Sequence, residues 1–335
     1  MNFSVIIATC GRPERLVNVL GHVERALQRI DGRHVLVVVD NDPRYLAEPV
    51  IKEHHSTSGA QVIYLRSEPR NKSAALNAGI AAAPTEWLAF TDDDTEPDPD
   101  WLLRAGEYLM TTGVRVAGGR VIPGPVEGRI PPWLVAGASG RLPHGGVFVH
   151  YEPMSASGIL KSSDPIPYGA NVFVHKSVFE LYGGYDEVLW RLCGKAALGV
   201  DDGEFGVRIQ IAGEPIGYCH EALVVHPIHL ERASVGEHLR IAYRYGWRDP
   251  LVFYNPRRSM VEWFRFRQIV KLSIGAFRDG LKGDRAGAVA NLVDVAKNAG
   301  TLASRWSVQY RKWTQVQKAR RTIANISEHQ SVCND

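Results

Sequence analysis

Cysteine is scarce: the 335 residues hold four, Cys10, Cys193, Cys219 and Cys333. None stands in a CxxC pair or beside a histidine at ligand spacing, so the set suits neither a zinc site nor a disulfide scaffold and reads as reduced thiols. Long apolar runs are also missing. The stretch Val5 to Ala8 is too short for a signal-peptide core and has no basic region before it, and no later stretch reaches the ~20 apolar residues of a bilayer crossing. A cytoplasmic catalytic part is therefore expected. No GxGxxG follows the first apolar strand, no GxxxxGK[ST] occurs, and no GxSxG offers a nucleophile elbow. Dinucleotide oxidoreductases, P-loop kinases and serine hydrolases lose their basic motifs. Internal repeats and low-complexity tracts are absent.

What is present is an uneven charge. The formal net charge of +3 conceals 24 basic against 30 acidic residues over 1–256 and 15 basic against 4 acidic over 257–325, with two further acids in the last ten residues. Any basic partner surface belongs to the tail.

Short β-branched runs alternate with helical spacing over the first hundred residues, the pattern of a mostly parallel sheet flanked by helices. Strands are expected at Phe3 to Thr9, His34 to Val39, Gln61 to Leu65 and Glu86 to Thr91. Helices are expected at Glu14 to Ile30, Pro43 to His55, Lys72 to Ala82 and Pro99 to Met110, the first opened by Pro13. Each strand ends on polar residues, Thr9 and Arg12, Asp40 to Asp42, and Asp92 to Asp94, and such sheets bind ligands outside the carboxyl ends of their strands. From Gly113 onward the chain is richer in Gly and Pro. Strand and helix signals return at Ala170 to Tyr182 and Asp202 to Ala212, and a long helical stretch follows Arg257. The division expected is a catalytic domain over 1–250, with a nucleotide-binding half to about 112 and an acceptor-binding half to about 250, then a basic amphipathic helical extension over 251–335.

Asp92-Asp93-Asp94 follows the apolar run Trp87-Leu88-Ala89-Phe90. Adjacent carboxylates repel one another, so a divalent cation shared with diphosphate oxygens is one reading, and a solvated acidic turn before a helix is the other. Asp201-Asp202-Gly203-Glu204 opens a second helix, where a carboxylate kept charged can serve as a general base or simply as an N-cap. Arg70-Asn71-Lys72-Ser73, with Asn77 a turn later, begins a helix whose N-terminus is an anion site or a basic turn. Asp40 and Asp42 either meet a nucleobase or ribose or close an Asx-type turn. His226 and His229 follow the strand Ala222 to Val225, and His226 is a candidate to complete a cation site with the aspartates.

In their order these segments resemble family 2 glycosyltransferases of the GT-A fold. The residues that carry the resemblance are Ser4 to Thr9 with Arg12-Pro13, Val38 to Asp42, Asn71 to Asn77, and Phe90 to Asp94. It continues in Gly169-Ala170-Asn171, Gly183 to Asp186, and Asp201 to Phe205 with Arg208. The resemblance runs from residue 3 to about 246. It implies an inverting, metal-dependent transfer of a sugar from a nucleotide-diphosphate sugar, UDP being the commonest nucleotide, to a glycan or lipid-linked acceptor. Asp92 and Asp94 then form the DXD motif, with Asp94 the direct ligand of Mn²⁺ or Mg²⁺, His226 assisting, and Asp92 and Asp93 beside the ribose and diphosphate. Thr9, Arg12, Asp40, Asp42, Arg70, Asn71 and Asn77 line the donor pocket. Asp202 is the catalytic base, with Asp201, Glu204 and Asn171 supporting it or the acceptor. Asp201 stands where the family usually has Glu. Bacterial exopolysaccharide and surface-glycan enzymes are the branch implied, and the missing QxxRW motif argues against processive synthesis.

Two other readings stay open on the residues: a sugar nucleotidyltransferase, which gives Asp202 no direct role, and a non-catalytic binder of nucleotide or glycan. In the tail, Trp263, Phe264, Phe266, Phe277, Trp306, Tyr310 and Trp313 mix with the basic excess, as expected of helices on an anionic membrane surface or of an amphipathic pair packed on the protein. No nucleic-acid module is recognisable, and no nucleic-acid partner is expected.

Overall fold

The computed structural model describes residues 1–124, 149–197, 199–228, 233–252 and 261–317. The chain forms two compact units. Among the described residues, the first holds 1–124, 149–190 and 199–228; the second holds 191–197, 233–252 and 261–317.

The first unit opens with β1 (Phe3–Thr9), α1 (Pro13–Leu27), β2 (Val35–Asp40), α2 (Ala47–Glu53), β3 (Gln61–Arg66), α3 (Lys72–Ala82) and β4 (Trp87–Asp92). It continues through β5 (Glu96–Pro97), α4 (Trp101–Thr112), β6 (Val116–Pro123), β7 (Gly158–Ile159), β8 (Val172–His175) and α5 (Lys176–Tyr182). After α6 (Glu187–Cys193), which leads out of the unit, come α7 (Val200–Ile211) and β9 (Ile216–His226). Nine strands form one sheet in the order β3-β2-β1-β4-β8-β6-β9-β5, with β7 also on β9. β1, β2, β3 and β4 pair in parallel, β8 runs against both β4 and β6, and β9 is parallel to β6.

Every residue of β1 and β2 is buried, as a parallel strand covered on both faces requires. The period of two then sorts their side chains. Val5, Ile7, Leu36 and Val38 pack with Leu16, Val19 and Leu20 of α1 and with Trp101 and Leu102 of α4. Ile6, Val37 and Val39 pack with Ala75, Leu76 and Ile80 of α3 and with Phe179, Phe205 and Ile209. β9 carries an irregularity: Gly119 pairs with Cys219 but Arg120 with Leu223. The Asn171 amide fills that gap by donating to the carbonyls of Arg120 at 2.9 Å and Ala222 at 2.8 Å. Gly119 is required there, because a Cβ would overlap the Asn171 amide and the Ala222 carbonyl.

In the second unit, α8 (Val235–Val252), α9 (Val261–Leu281) and α10 (Arg285–Trp306) pack with α10 between the other two in contact terms. α8 is held in this helical unit. The cause is close backbone approach: Gly246 of α8 lies against the Lys297 carbonyl and Gly300 of α10 against the Tyr243 carbonyl, with no room for a Cβ at either. Among the described residues no helix is long and apolar enough to cross a membrane.

Candidate functional site

β1, β4, β6 and β9 run in one direction and β8 in the other, so the ends of the first four and the start of β8 share one edge of the sheet. Thr9, Asp92 and His226 end strands on that edge, and Gly169 to Asn171 precede β8 there. A depression lined by Met1, Asn2, His34 and Trp87 lies at the opposite edge and carries none of these acids.

The three aspartates divide their work. Asp93 is 1 % exposed, accepts a hydrogen bond from the Thr9 hydroxyl at 2.7 Å, and pairs with Arg12 Nη2 at 2.8 Å. Burial pushes its carboxyl up to about 6, Arg12 pulling it back and Asp94 adding to the rise. Asp94 pairs with Arg12 Nη1 at 2.7 Å and with Arg15 Nη1 at 3.4 Å. Burial alone would lower the Arg12 guanidinium's pKa, but Asp93, Asp94 and Asp92 outweigh it and raise it.

β5 is only two residues long, yet its pairing of Glu96 with Val225 brings the end of β9 beside the acid turn. Asp92, Asp94 and His226 each offer a ligand atom, all within 4.8 Å of one another. His226 Nδ1 stands 3.1 Å from the Pro227 carbonyl, an oxygen that only accepts, so Nδ1 carries the proton. Nε2 is then the nitrogen turned to Asp94 Oδ1 at 3.6 Å. Nε2 facing the Asp94 carboxylate suits a cation shared between them, and the Nδ1 contact is the kind that orients a ligating imidazole. Two carboxylates and one imidazole suit Mn²⁺ or Mg²⁺ with oxygen ligands from elsewhere completing the shell. His229 lies outside the described residues.

The second acid group sits inside α7, not ahead of it. The helix starts at Val200, two residues before the expected Asp202, because Gly199 takes a left-handed turn at φ 57° and caps it without a side chain. The capping role weighed for Asp201 or Asp202 is thereby excluded. Asp202 is half-buried; its Oδ2 accepts from the Gly169 amide at 3.0 Å and its Oδ1 from the Gly203 amide at 2.8 Å. Asp201 is 2 % exposed, and its Oδ1 accepts no hydrogen bond among the described residues. Burial drives its carboxyl up to about 6, opposed by Lys72 and assisted by Asp202.

Lys72 joins the two groups. Its Nζ is 2.7 Å from Asp92 Oδ1 and 3.5 Å from Asp201 Oδ2. Burial alone would lower its pKa, but Asp201, Asp92 and Asp202 hold it well above 10.5, so it stays an ammonium. From sequence Lys72 belonged to a helix N-terminus that is an anion site or a basic turn, with no link to Asp201. Its signal was that it is the sole charged residue of α3, an otherwise Ala-rich helix packed on the sheet. Arg15, one turn into α1, was missed as a partner of Asp94 for lack of any motif around it.

Several residues expected to line the donor pocket make hydrogen bonds within the protein itself. Asp40 is wholly buried, and its oxygens accept from the amides of Asp42 and Ala47, both at 2.9 Å, and from the Tyr64 hydroxyl at 3.2 Å. Its carboxylate builds the turn into α2 and has no surface for a base. Asp42 accepts from the Arg44 amide at 2.8 Å and is nearly buried, the Asx-type turn again. Asn71 caps α3 by accepting from the Ala74 amide at 3.2 Å. Asn77 exchanges hydrogen bonds with the Tyr185 backbone and donates to Glu187 at 2.9 Å, tying α3 to the chain before α6. Arg70 is exposed with φ 58°, and its carbonyl accepts from the Trp190 indole at 2.8 Å. Asn171, expected near the acceptor, is fully buried: beyond its two backbone contacts, its oxygen accepts from the Trp101 indole at 2.7 Å. Glu204 forms a two-pronged pair with Arg208, whose guanidinium also donates to the carbonyls of Tyr182, Gly183 and Gly184. That lock holds α7 to the end of α5.

Comparison with known proteins places this edge in context. The chain is 26 % identical over 251 residues to the succinoglycan biosynthesis protein ExoM of Rhizobium meliloti (strain 1021), covering 73 % of each chain. It is 23 % identical over 246 residues to the glycosyltransferase AglE of Haloferax volcanii, covering 72 % of this chain and 71 % of that one. The structure of S. aureus TarS residues 1–349, solved with UDP-GlcNAc, matches with a TM-score of 0.50 at 12 % identity, over 89 % of this chain and 91 % of that one, a likeness of fold. The family model described as Glycosyl transferase family 2 matches residues 4–178, the span running from β1 through the acid turn to β8 and into α5. With that match over half its length, the chain belongs to glycosyl transferase family 2, has the GT-A fold and is a glycosyltransferase.

Proposed function

We propose that the chain transfers a sugar from a nucleotide-diphosphate donor, a UDP-sugar first among candidates, to a hydroxyl of a glycan or lipid-linked acceptor, with inversion at the anomeric carbon. One observation carries this reading: the Lys72 ammonium reaches both Asp92 after β4 and Asp201 beside Asp202, so a cation-holding acid turn and a candidate base share one site. A relative named for succinoglycan biosynthesis, and a fold seen elsewhere with UDP-GlcNAc, favour a nucleotide-sugar donor and a surface-glycan product.

Asp92, Asp94 and His226 would hold Mn²⁺ or Mg²⁺, which supplies Lewis-acid neutralisation of the departing diphosphate when bound. Arg12 and Lys72 present positive charge on the same edge and assist in holding the donor's phosphates. Thr9 and Arg12 keep Asp93 fixed behind the turn. Asp202, aimed by the Gly169 and Gly203 amides, takes the acceptor hydroxyl's proton as that oxygen bonds to the anomeric carbon and the bond to the diphosphate breaks. A single displacement from the far face inverts the centre. A nucleotidyltransferase would leave Asp202 without a task.

Titration calorimetry with UDP, GDP and dTDP, each with and without Mn²⁺, is the first test, followed by turnover of the matching sugar donors with proton NMR of the new linkage. Metal-dependent binding of one nucleotide, and a product of opposite anomeric configuration, are expected. Binding unaffected by metal, or retention of configuration, would overturn the corresponding half of the reading.

A further inference from the structure

The helix α9 has two unlike sides. One packs on α10: Ala276 and Asp279 are buried, Asp279 accepts from the Asn291 amide at 2.8 Å, and Arg265 donates to Asn298 at 2.8 Å. The other side presents Trp263, Phe266, Val270, Ile274, Phe277 and Leu281 at three- and four-residue intervals, a single stripe along the helix. All six are exposed, Phe277 by 71 % and Leu281 by 74 %. A stripe of this length on a water-facing helix is far from the scattered single apolar residues normal on a protein surface, and it calls for a partner.

Charge identifies the partner. Arg267, Lys271, Arg278 and Lys282 line one flank of the stripe, all exposed, with the Arg267 guanidinium 4.7 Å from the centre of the Trp263 ring. The helix has two acids. Asp279 is turned inward to Asn291, and Glu262 is only partly exposed and stands 4.0 Å from Arg305. Four exposed cations along the helix and just past its end thus stand against one partly exposed carboxylate, Glu262, which faces Arg305. A second copy docked face to face would set these basic flanks together unopposed, which disfavours self-association. No described helix is apolar enough to cross a bilayer.

We propose that the exposed face of α9 binds the surface of an anionic lipid bilayer, the helix lying in the interfacial plane with its aromatic stripe in the acyl boundary and its basic flank among the headgroups. The surface makes no use of the acid turn, so it stands or falls separately from the catalytic reading. If both hold, the enzyme works on an acceptor carried at that membrane.

The test is co-sedimentation of the full chain with vesicles of phosphatidylcholine alone and of phosphatidylcholine mixed with phosphatidylglycerol, at low and high salt. Binding to the anionic vesicles is expected, at least about tenfold tighter than to the neutral ones and largely lost at high salt. Phe266→Ser with Phe277→Ser, and separately Arg267→Glu with Lys271→Glu and Arg278→Glu, should each lower it by about tenfold or more, with unchanged helix content and melting temperature. Nucleotide binding in the same variants reads the catalytic domain independently. The proposal is overturned by no binding to either vesicle, by equal binding to both, or by variants that bind like the parent. It is also overturned by a dimer in sedimentation equilibrium that the double serine variant dissolves, which would assign the face to a second copy.

Discussion

The acid turn after β4 and the outer face of α9 break opposite rules of protein surfaces. At the site, charged groups are buried: Asp93 and Asp94 of the turn and Asp201 of α7, with Arg12, Arg15 and Lys72 folded against them. Along α9, apolar groups are exposed, with Phe277 and Leu281 mostly in water. Each arrangement costs stability where it stands. The lesson is that the expense points to an absent partner in both places, and its chemistry differs: the turn fits a cation and phosphates, the helix an apolar phase bounded by negative charge.

The comparison is broken most sharply at the base. Asp202→Asn should cut transfer about 10²–10⁴-fold while nucleotide affinity stays within about twofold, measured as initial rate against calorimetric binding. Loss of both together would make Asp202 a fold residue. Next, His226→Ala should weaken Mn²⁺-dependent nucleotide binding about 10–100-fold, the range seen when metal-site residues are removed, with metal-independent binding spared. An unchanged response to Mn²⁺ would take His226 out of the cation site.

Two stability predictions sharpen the burial side. Gly119→Ala should cost about 1–3 kcal/mol in urea unfolding, because the new Cβ overlaps Asn171 and the Ala222 carbonyl. Asp201 offers a pH signature. Its carboxyl ordinarily ionises near 3.8 and is pushed up to about 6 by burial in the folded chain. Within that window the folded state keeps a proton that the unfolded state has released, so this group's contribution to stability falls as pH rises and levels off above about 6. Asp201→Asn removes that slope. The variant should gain on the parent between about pH 4 and pH 6, with a constant difference above; a difference independent of pH would show that Lys72 keeps Asp201 ionised throughout. The smallest effect belongs to the other region: Phe277→Ser should move folding stability by no more than about 0.5 kcal/mol, because the ring is exposed.

β1 and α3 were legible to the residue, since an unbroken apolar run and an Ala-rich stretch behind Asn71 leave few alternatives. α2 was not: it starts at Ala47, not Pro43, because the Asp40 and Asp42 side chains hold the intervening residues in turns. β5 and β7 are two residues each, too short for any periodicity to show. Motif order brought out the acid turn, Asp202 and His226, all of which gather at one edge. The roles of Asp40, Asn71, Asn77, Asn171 and Glu204 were illegible because a polar residue near a site looks the same in sequence whether its hydrogen bonds are spent on the backbone or held for a ligand. Only partners in space distinguish them.

The reversed strand β8 carries one more consequence. Because β8 runs against its neighbours, the chain that leaves the sheet at Pro123 rejoins it at Val172 on the same edge it left. Apart from the Tyr151 bridge to Val121, the short pairing of β7, and Gly169 and Asn171 just before β8, the span between can change without re-threading any strand of β1 to β4. Such an excursion is a place where descendants of one ancestor can diverge in what they glycosylate while inheriting the donor side intact.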